Sequence, residues 1–549
     1  MKGNGNGSSA QNRSPLRASS TTSSVKTIGD HGSNALVRAS EGWLELFLTT
    51  AEKHNFSQWK EIVKDHSFVN NVFEPVFQYL SAHYLPDTIA PNVLTVSGFI
   101  LLGQAWYLTN SYGASHPTAC TWLSAVSIAV FFVTNSVTVY HADRIRQHTA
   151  LSDLFKYSCD AGSTVWLALL TTFCLGGTQL ETQWYTVQAC QLVLFLKHLS
   201  AYQRQAGLRY HFVQGPGEVL LACIGMLGLR AVVGLDRLVE GLLHIYQKTL
   251  AVGEHLPTVP DRDEWLEEPT GAQVVRYIYY GFFTAAVVQS LRLEAPPHGW
   301  TRFGLTTSLL MRLVPGLLLA TDTLSFPVTV SDIVCDGFFL TVLTSDLCLA
   351  KMAHRELHPW VVVMSLAATL SYGFIITLVT VYYIAVFADL SSYLNLPLLA
   401  TCRNVYCDGV YDLCHIGHKR AFQNALACGN RLYVGVVGDE DASNYKRPPV
   451  MSHAERCAEV EACKAVTLVI PNAPCFGLTQ EFLDEHQIHV VAFGEEYLTK
   501  YPDPKDDPYY SLVRLQGIGY PLPRTNTLST TDLIKRIQES GTLEKKSPT

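Results

Sequence analysis

Nine apolar stretches constrain this chain more than any other feature. They fall at about residues 92–108, 119–140, 163–180, 184–201, 216–235, 274–291, 304–320, 327–350 and 360–388. Each approaches the roughly 20 residues that an α-helix needs to cross the hydrocarbon core of a bilayer. A soluble helical core would not repeat such runs nine times, so residues 84–392 read as a polytopic helical membrane domain. That block explains why hydrophobic residues reach 48% of the 549 and charged residues only 16%, where ordinary domains carry about 25% charge. Three acids, Asp332, Asp336 and Asp346, interrupt the eighth run. An acid in hydrocarbon is costly unless it meets a partner or a cavity. Either a pocket between helices or, for Asp332 and Asp336, a place at the membrane interface accounts for them. Residues 141–160 read as a polar break on a cytoplasmic face, given Arg144 and Arg146 there and Lys351 and Arg355 later. The acidic, Pro-bearing stretch 253–272 reads as an exposed loop.

The ends are plainer. Residues 1–40 are rich in Ser, Gly, Asn and Thr, lack the apolar core of a signal peptide, and read as a disordered tail. Residues 41–83 read as a juxtamembrane helical segment, and 541–549 as a second tail. A net charge of -7 argues against a nucleic-acid partner. The fourteen cysteines show no paired metal spacing, and Cys402, Cys407, Cys414 and Cys428 read as reduced thiols.

From Arg403 the composition turns ordinary, and residues 400–540 read as an α/β domain. RNVYCDGVYD, RLYVGVVGD, AVTLVIP and HVVAF are strand-like. HKRAFQNALACG, AERCAEVEACK, EFLDEHQ, SLVRLQG and DLIKRIQES are helix-like. This alternation predicts a parallel, Rossmann-like sheet with right-handed crossovers, which binds ligands at the carboxyl ends of its strands. His415-Ile416-Gly417-His418 follows the first strand and opens a helix. Two imidazoles three positions apart can face one ligand, Gly417 lets backbone approach closely, and a helix N-terminus favours anions. Plain capping is the alternative. Over 100 residues later, Arg524-Thr525-Asn526-Thr527-Leu528-Ser529-Thr530-Thr531-Asp532 opens another helix. Its hydroxyls and its arginine exceed what an N-cap needs.

The pieces CDGVYDLCHIGH, NYKRPPVMSHAERC, NAP and RTNTLSTTDLI, in this order, resemble the cytidylyltransferases that make CDP-choline, CDP-ethanolamine and CDP-glycerol. The resemblance covers about Arg403 to Ile537 and implies nucleotidyl transfer from CTP, brought in with Mg²⁺. It implies that His415, His418 and Lys446 stabilise the charge of the transition state. Gly409, Gly417, Arg456, Arg524, Thr525, Ser529, Thr530 and Thr531 would hold CTP, and no residue is assigned as a metal ligand. Thr527 stands where the family usually has a glycine. In the choline-specific members an aspartate, a tryptophan and a tyrosine recognise the quaternary ammonium, and the corresponding positions are Asp408, Phe476 and Tyr497. Ethanolamine members usually carry two such domains and this chain one, so phosphocholine is the expected substrate and phosphoethanolamine the alternative.

Residues 84–390 resemble the CDP-alcohol phosphotransferases through LPDTIAPNVLTVSGF, LSDLFKYSCDAG, GPGEVLL and AKMAHRELHP. That family has about ten spans and holds two metal ions on four aspartates. Here the four positions fall on Asn135, Thr138, Lys156 and Asp160. The expectation is an inactive domain that anchors the enzyme to the endoplasmic reticulum membrane, with the catalytic domain in the cytosol. Relatives of both halves form homodimers, which suggests the same here. A bifunctional enzyme that also transfers the phosphoalcohol to diacylglycerol, and a non-catalytic lipid-binding scaffold, are the other readings.

Overall fold

The computed structural model describes residues 47–543, apart from 61–63, 211, 213–214, 251–268, 295–297, 321–328, 371, 395, 446 and 524–528. The expected tails 1–40 and 541–549 and most of the expected loop 253–272 lie outside the described residues or at their edge.

The apolar runs form long helices. Two shorter elements precede them, α1 (Thr50–Ser57) and α2 (Phe68–Tyr84). Then come α3 (Pro91–Tyr112), α4 (Pro117–Arg144), α5 (Ala150–Cys174), α6 (Leu180–Gln203), α7 (Pro216–Val233) and α8 (Leu235–Leu250). The set ends with α9 (Pro269–Leu291), α10 (Gly299–Ala320), α11 (Val330–Met352), α12 (Trp360–Leu370) and α13 (Tyr372–Leu394). Most outgrow the apolar runs that announce them. The polar break expected at 141–160 shrinks to residues 145–149. Helix α4 carries its polar end to Arg144, and Thr149 and Ser152 form a capping box that restarts the chain as α5. Against the sequence expectation of about ten spans, four described helices are long and apolar enough to cross a membrane. These are α4, α7, α11 and, within α13, Phe374–Leu394.

Helix α11 is buried along nearly its whole length, and the three acids on it have separate explanations. Asp332 is a half-buried residue of the first turn whose carboxylate accepts from the Thr329 amide (2.9 Å) and hydroxyl (2.7 Å). Asp336 is buried and accepts from Trp184 Nε1 (2.8 Å) and Gln188 Nε2 (3.1 Å). Asp346 is buried against Arg355 (2.5 Å), the Tyr382 hydroxyl (2.9 Å) and the His358 amide (2.9 Å). Each buried acid is thus balanced by donors, on the neighbouring helix α6 for Asp336 and on α13 and the connection after α11 for Asp346, as a carboxylate removed from water requires.

The α/β part has five parallel strands: β1 (Asn404–Gly409), β2 (Arg431–Val437), β3 (Leu468–Ala473), β4 (Val490–Gly494) and β5 (Gly519–Leu522). Their order is β3-β2-β1-β4-β5. β2 is all apolar after its first residue apart from Gly435, because helices cover both faces of the sheet. The crossovers carry α14 (Ile416–Leu426), α15 (Asp439–Tyr445), α16 (His453–Glu461), α17 (Gln480–Glu485), α18 (Glu496–Lys500) and α19 (Ser511–Leu515), and α20 (Thr530–Leu543) follows β5. Sequence reasoning missed α8, α15, α18 and β5. The chain leaves β1 in one direction toward β2 and β3 and in the other toward β4 and β5. The crevice where the order reverses therefore lies at the carboxyl ends of β1 and β4.

Candidate active site

The turn after β1 builds one wall of that crevice. Gly409 sits where an added Cβ would meet the Tyr411 ring at 2.9 Å. Tyr411 and Leu413 adopt left-handed backbone (φ 54° and 48°), which costs roughly 1–2 kcal/mol each for a residue with a side chain. Between them, Asp412 Oδ1 accepts from the amides of Val450 and Met451, both at 3.0 Å. Asp412 therefore ties the loop before α16 to the β1 turn. Sequence reasoning gave it no role; the second acid of CDGVYD was its only signal.

His415 is the N-cap of α14. Its Nδ1 accepts from the Gly417 amide at 3.1 Å, so the neutral ring carries its proton on Nε2. Burial lowers its pKa below the ordinary histidine value, which keeps it neutral at neutral pH. The His418 ring stacks on it, with centroids 4.0 Å and planes 20° apart. Tyr411 meets His418 edge-on at 5.4 Å.

Helix α20 delivers the second wall. Ser529 is consumed as a cap, for its amide and hydroxyl donate to Asp532 at 3.0 and 2.7 Å. Thr530 points back instead. Its hydroxyl donates to the Asp412 carbonyl (3.3 Å) and lies 3.5 Å from His415 Nε2. Thr531 is exposed at the same helix start. Lys446, Arg524 and Thr525 lie outside the described residues.

Arg456 is fully buried. It donates to the Val410 carbonyl and to Asp439, each at 2.6 Å. Both ends of the guanidinium are thus committed to the protein, joining α16 to the β1 turn and to the start of α15. His453, on the same helix, contacts the carboxyl ends of two strands through Nε2, with the Val436 carbonyl at 3.3 Å and the Asn472 amide at 3.2 Å.

The third group of predicted residues converges around Asp408. The Tyr510 hydroxyl donates to Asp408 at 3.1 Å. Desolvation nevertheless pushes the Asp408 carboxyl up to about 6. Tyr497 meets Tyr510 edge-on at 4.9 Å and Tyr509 at 5.3 Å, and Phe476 stacks on Tyr509 at 5.3 Å. Asp408, Tyr497 and Phe476 are therefore linked through Tyr509 and Tyr510, which the sequence reading overlooked inside DPYYSLV. Phe476 is 54% exposed, so it lies at the rim.

A parallel sheet ordered 3-2-1-4-5, with an imidazole-capped helix and a hydroxyl-capped helix meeting over its reversal point, is the frame of a nucleotide-binding transferase. Residues 406–536 match the family model described as cytidylyltransferase-like, and this part of the chain is a cytidylyltransferase-like domain. It is 41% identical over 135 residues to choline-phosphate cytidylyltransferase A of Homo sapiens, covering 24% of this chain and 36% of that one. It is 39% identical over 133 residues to ethanolamine-phosphate cytidylyltransferase of Mus musculus, covering 24% and 32%. Against choline-phosphate cytidylyltransferase of Saccharomyces cerevisiae it is 35% identical over 150 residues, covering 26% and 33%. The chain thus spans about a third of the length of the curated relatives it matches. The crystal structure of a lipopolysaccharide core biosynthesis protein from Thermoplasma volcanium GSS1 matches 24% of this chain and 100% of its own. That match has 20% identity and a TM-score of 0.19, too low to bear on the fold.

Proposed function

We propose that this protein transfers the cytidylyl group of CTP to phosphocholine, releasing pyrophosphate, from a catalytic domain anchored to a membrane by its helical region. The observation that carries this reading is the meeting of Thr530 with His415. It brings the imidazole and hydroxyl cradles to one point at the carboxyl end of the sheet.

The reaction needs no covalent enzyme intermediate. A phosphate oxygen of the substrate attacks the α-phosphorus of CTP in line. The new P–O bond forms as the bond between the α-phosphorus and the bridging oxygen breaks, and that electron pair leaves with pyrophosphate. Catalysis is then positioning and stabilisation of charge. His415 offers Nε2–H toward the phosphates because Gly417 occupies Nδ1, and His418, stacked against it, offers a second imidazole. The amides at the start of α14 add partial positive charge. Lys446, Arg524 and Thr525 are assigned to the triphosphate by motif, and Thr531 by its place beside Thr530. Arg456 and Asp412 act as positioning residues. Mg²⁺ enters as part of the CTP substrate and neutralises triphosphate charge.

The trimethylammonium group is assigned to Asp408 and the aromatic set Tyr497, Tyr509, Tyr510 and Phe476, since a carboxylate beside ring faces suits a weakly hydrated cation. Phosphoethanolamine is the second reading. Phe476 supplies a smaller ring than tryptophan at an exposed rim, and relatives named for both substrates match almost equally well.

Membrane anchoring is supported by the outward-facing apolar residues of α4 (Val126, Val130, Val133), α7 (Val219, Leu229, Val232) and α13 (Phe374, Val381, Ile384). The endoplasmic reticulum is proposed because phospholipid synthesis takes place there. An inactive helical domain is supported by Lys156, whose ammonium donates to Asn135 (2.8 Å) and Asp160 (2.9 Å). A fixed positive charge there takes up the carboxylate that a metal would need. The reading is tested by pyrophosphate release from CTP with phosphocholine, phosphoethanolamine or glycerol-3-phosphate. Release with none of the three would leave the scaffold reading in its place. Phospholipid made from CDP-choline and diacylglycerol, and lost in Asp160→Ala, would establish the bifunctional one.

A further inference from the structure

The helical region and the catalytic domain meet through a short, densely bonded joint. On one side is the turn between α4 and α5, residues 145–149. On the other are the residues that lead into β1 and β4. Arg146 donates to the Ile488 carbonyl (2.5 Å) and pairs with Asp484 (3.2 Å). Gln147 donates to the Cys402 carbonyl (2.7 Å), and Gln487 returns a bond to the His148 carbonyl (2.8 Å). His489 accepts the Asn404 amide on Nδ1 (3.1 Å), so its Nε2–H donates to the Ile145 carbonyl (2.6 Å). Arg431, the first residue of β2, reaches the Leu394 carbonyl at the end of α13 (3.4 Å).

Most of these bonds engage backbone carbonyls through side chains that are at least partly buried. Arg146 and Gln487 hold left-handed backbone at the joint (φ 50° each), a conformation kept only where the surroundings enforce it. A hinge meant to swing freely would not be tied at so many points.

Every one of these bonds lies at the amino ends of β1, β2 and β4. Asp408, His415 and Thr530 lie at the carboxyl ends. A strand of six residues separates the two ends by roughly 20 Å. We infer that the catalytic domain is fixed to the helical region by the amino edge of its sheet, so that the nucleotide crevice opens on the side facing away from the bilayer. Substrates enter from the aqueous phase and the CDP-alcohol returns to it. The phosphotransfer step that consumes this product then takes place at a site reached by diffusion, not one abutting the crevice.

The direction of opening rests on the proposed membrane reading; the joint itself does not. The test is made on the full chain in membranes carrying Arg146→Cys and Asp484→Cys, treated with a short bis-maleimide and analysed by peptide mapping. We expect bridging between the two introduced thiols, with nucleotidyl transfer kept within about twofold of the unbridged protein. Absence of the bridge would overturn the joint. A bridge that abolishes transfer would overturn its fixed character, because the domain would then need to undock. In a second arm, a fluorophore on Ile537→Cys, at an exposed position of α20, is challenged with headgroup-quenched vesicles. An unquenched probe is expected, and a quenched one would overturn the outward opening while leaving the bridging result intact. Failure of the proposed chemistry is read separately, as loss of pyrophosphate release in the unmodified protein.

Discussion

The Thr530 hydroxyl lies 3.5 Å from His415 Nε2 while donating to the Asp412 carbonyl. With Nδ1 occupied by the Gly417 amide, Nε2–H is the donor of the ring and lies beside the Thr530 oxygen, whose own O–H is held by the Asp412 carbonyl; Thr530 thus orients the imidazole that is proposed to face the phosphates. Thr530→Val keeps the shape and removes this orienting contact. We expect kcat/KM for CTP to fall about 10- to 100-fold, with thermal stability changed by less than roughly 1 kcal/mol, since one partly exposed hydrogen bond is lost. His415→Ala removes the donor itself and should lower kcat by about 100- to 1,000-fold, as loss of a transition-state donor does. Pyrophosphate release and thermal unfolding measure both.

Asp408 should show in the pH dependence. Its carboxyl is raised to about 6, so the folded protein holds a proton there at a pH where the unfolded chain has released it. The stability it contributes is full below the ordinary carboxylate range and is lost as pH rises through about 6. Asp408→Asn should therefore stabilise the domain at neutral pH, on the order of 1–3 kcal/mol. The carboxylate form is the one that binds a cation, so kcat/KM for phosphocholine should fall as pH drops below about 6. The substrate phosphate also titrates near 6, and the Asp408→Asn profile isolates that contribution. A wild-type profile identical to that of Asp408→Asn would remove Asp408 from the binding site.

Arg456 is a positioning residue with both ends committed. Arg456→Met removes the bonds to Val410 and Asp439, which leaves the Val410 carbonyl without that donor, while the half-exposed Asp439 keeps water and the His453 amide. We expect a loss of about 1–3 kcal/mol in unfolding free energy, together with a raised KM for CTP. Asp439→Asn keeps one hydrogen bond and should cost much less. Equal losses in the two variants would contradict the pairing.

Phe476 tests the choice of alcohol. Phe476→Trp enlarges the ring face at the rim of the Asp408 set. A cation–π gain of about 0.5–1 kcal/mol corresponds to a two- to fivefold fall in KM for phosphocholine. Phosphoethanolamine, whose ammonium is strongly hydrated, should gain less. Competition between the two substrates in one assay reads the ratio directly.

How much of this was legible in the sequence depended on the kind of signal. Strands β1 to β4 were readable because burial on both faces leaves apolar runs bounded by turn residues. β5, with Tyr520 exposed and a proline at 521, carries no such run and was missed. Helix ends in the membrane-like region were misjudged because α4 and α5 carry polar residues well past the apolar stretch, with a capping box at Thr149 in place of a loop. His415 and His418 could be read from local spacing. Asp412, Tyr509 and Tyr510 could not, because their roles depend on contacts with residues 33 to 102 positions away. Arg456 was read as part of the nucleotide site, and its complete burial shows only in three dimensions.

The 115 positions between His415 and Thr530 bear on how damage to this protein would present. A nonsense or frameshift lesion anywhere in that interval leaves the bundle and the first strand intact. On the proposed reading such a product would still reach the membrane and escape notice by abundance, yet it would bring only the imidazole half of the proposed grip on CTP. Loss of synthesis would then come without loss of protein, and only an assay of nucleotide affinity would tell the two apart.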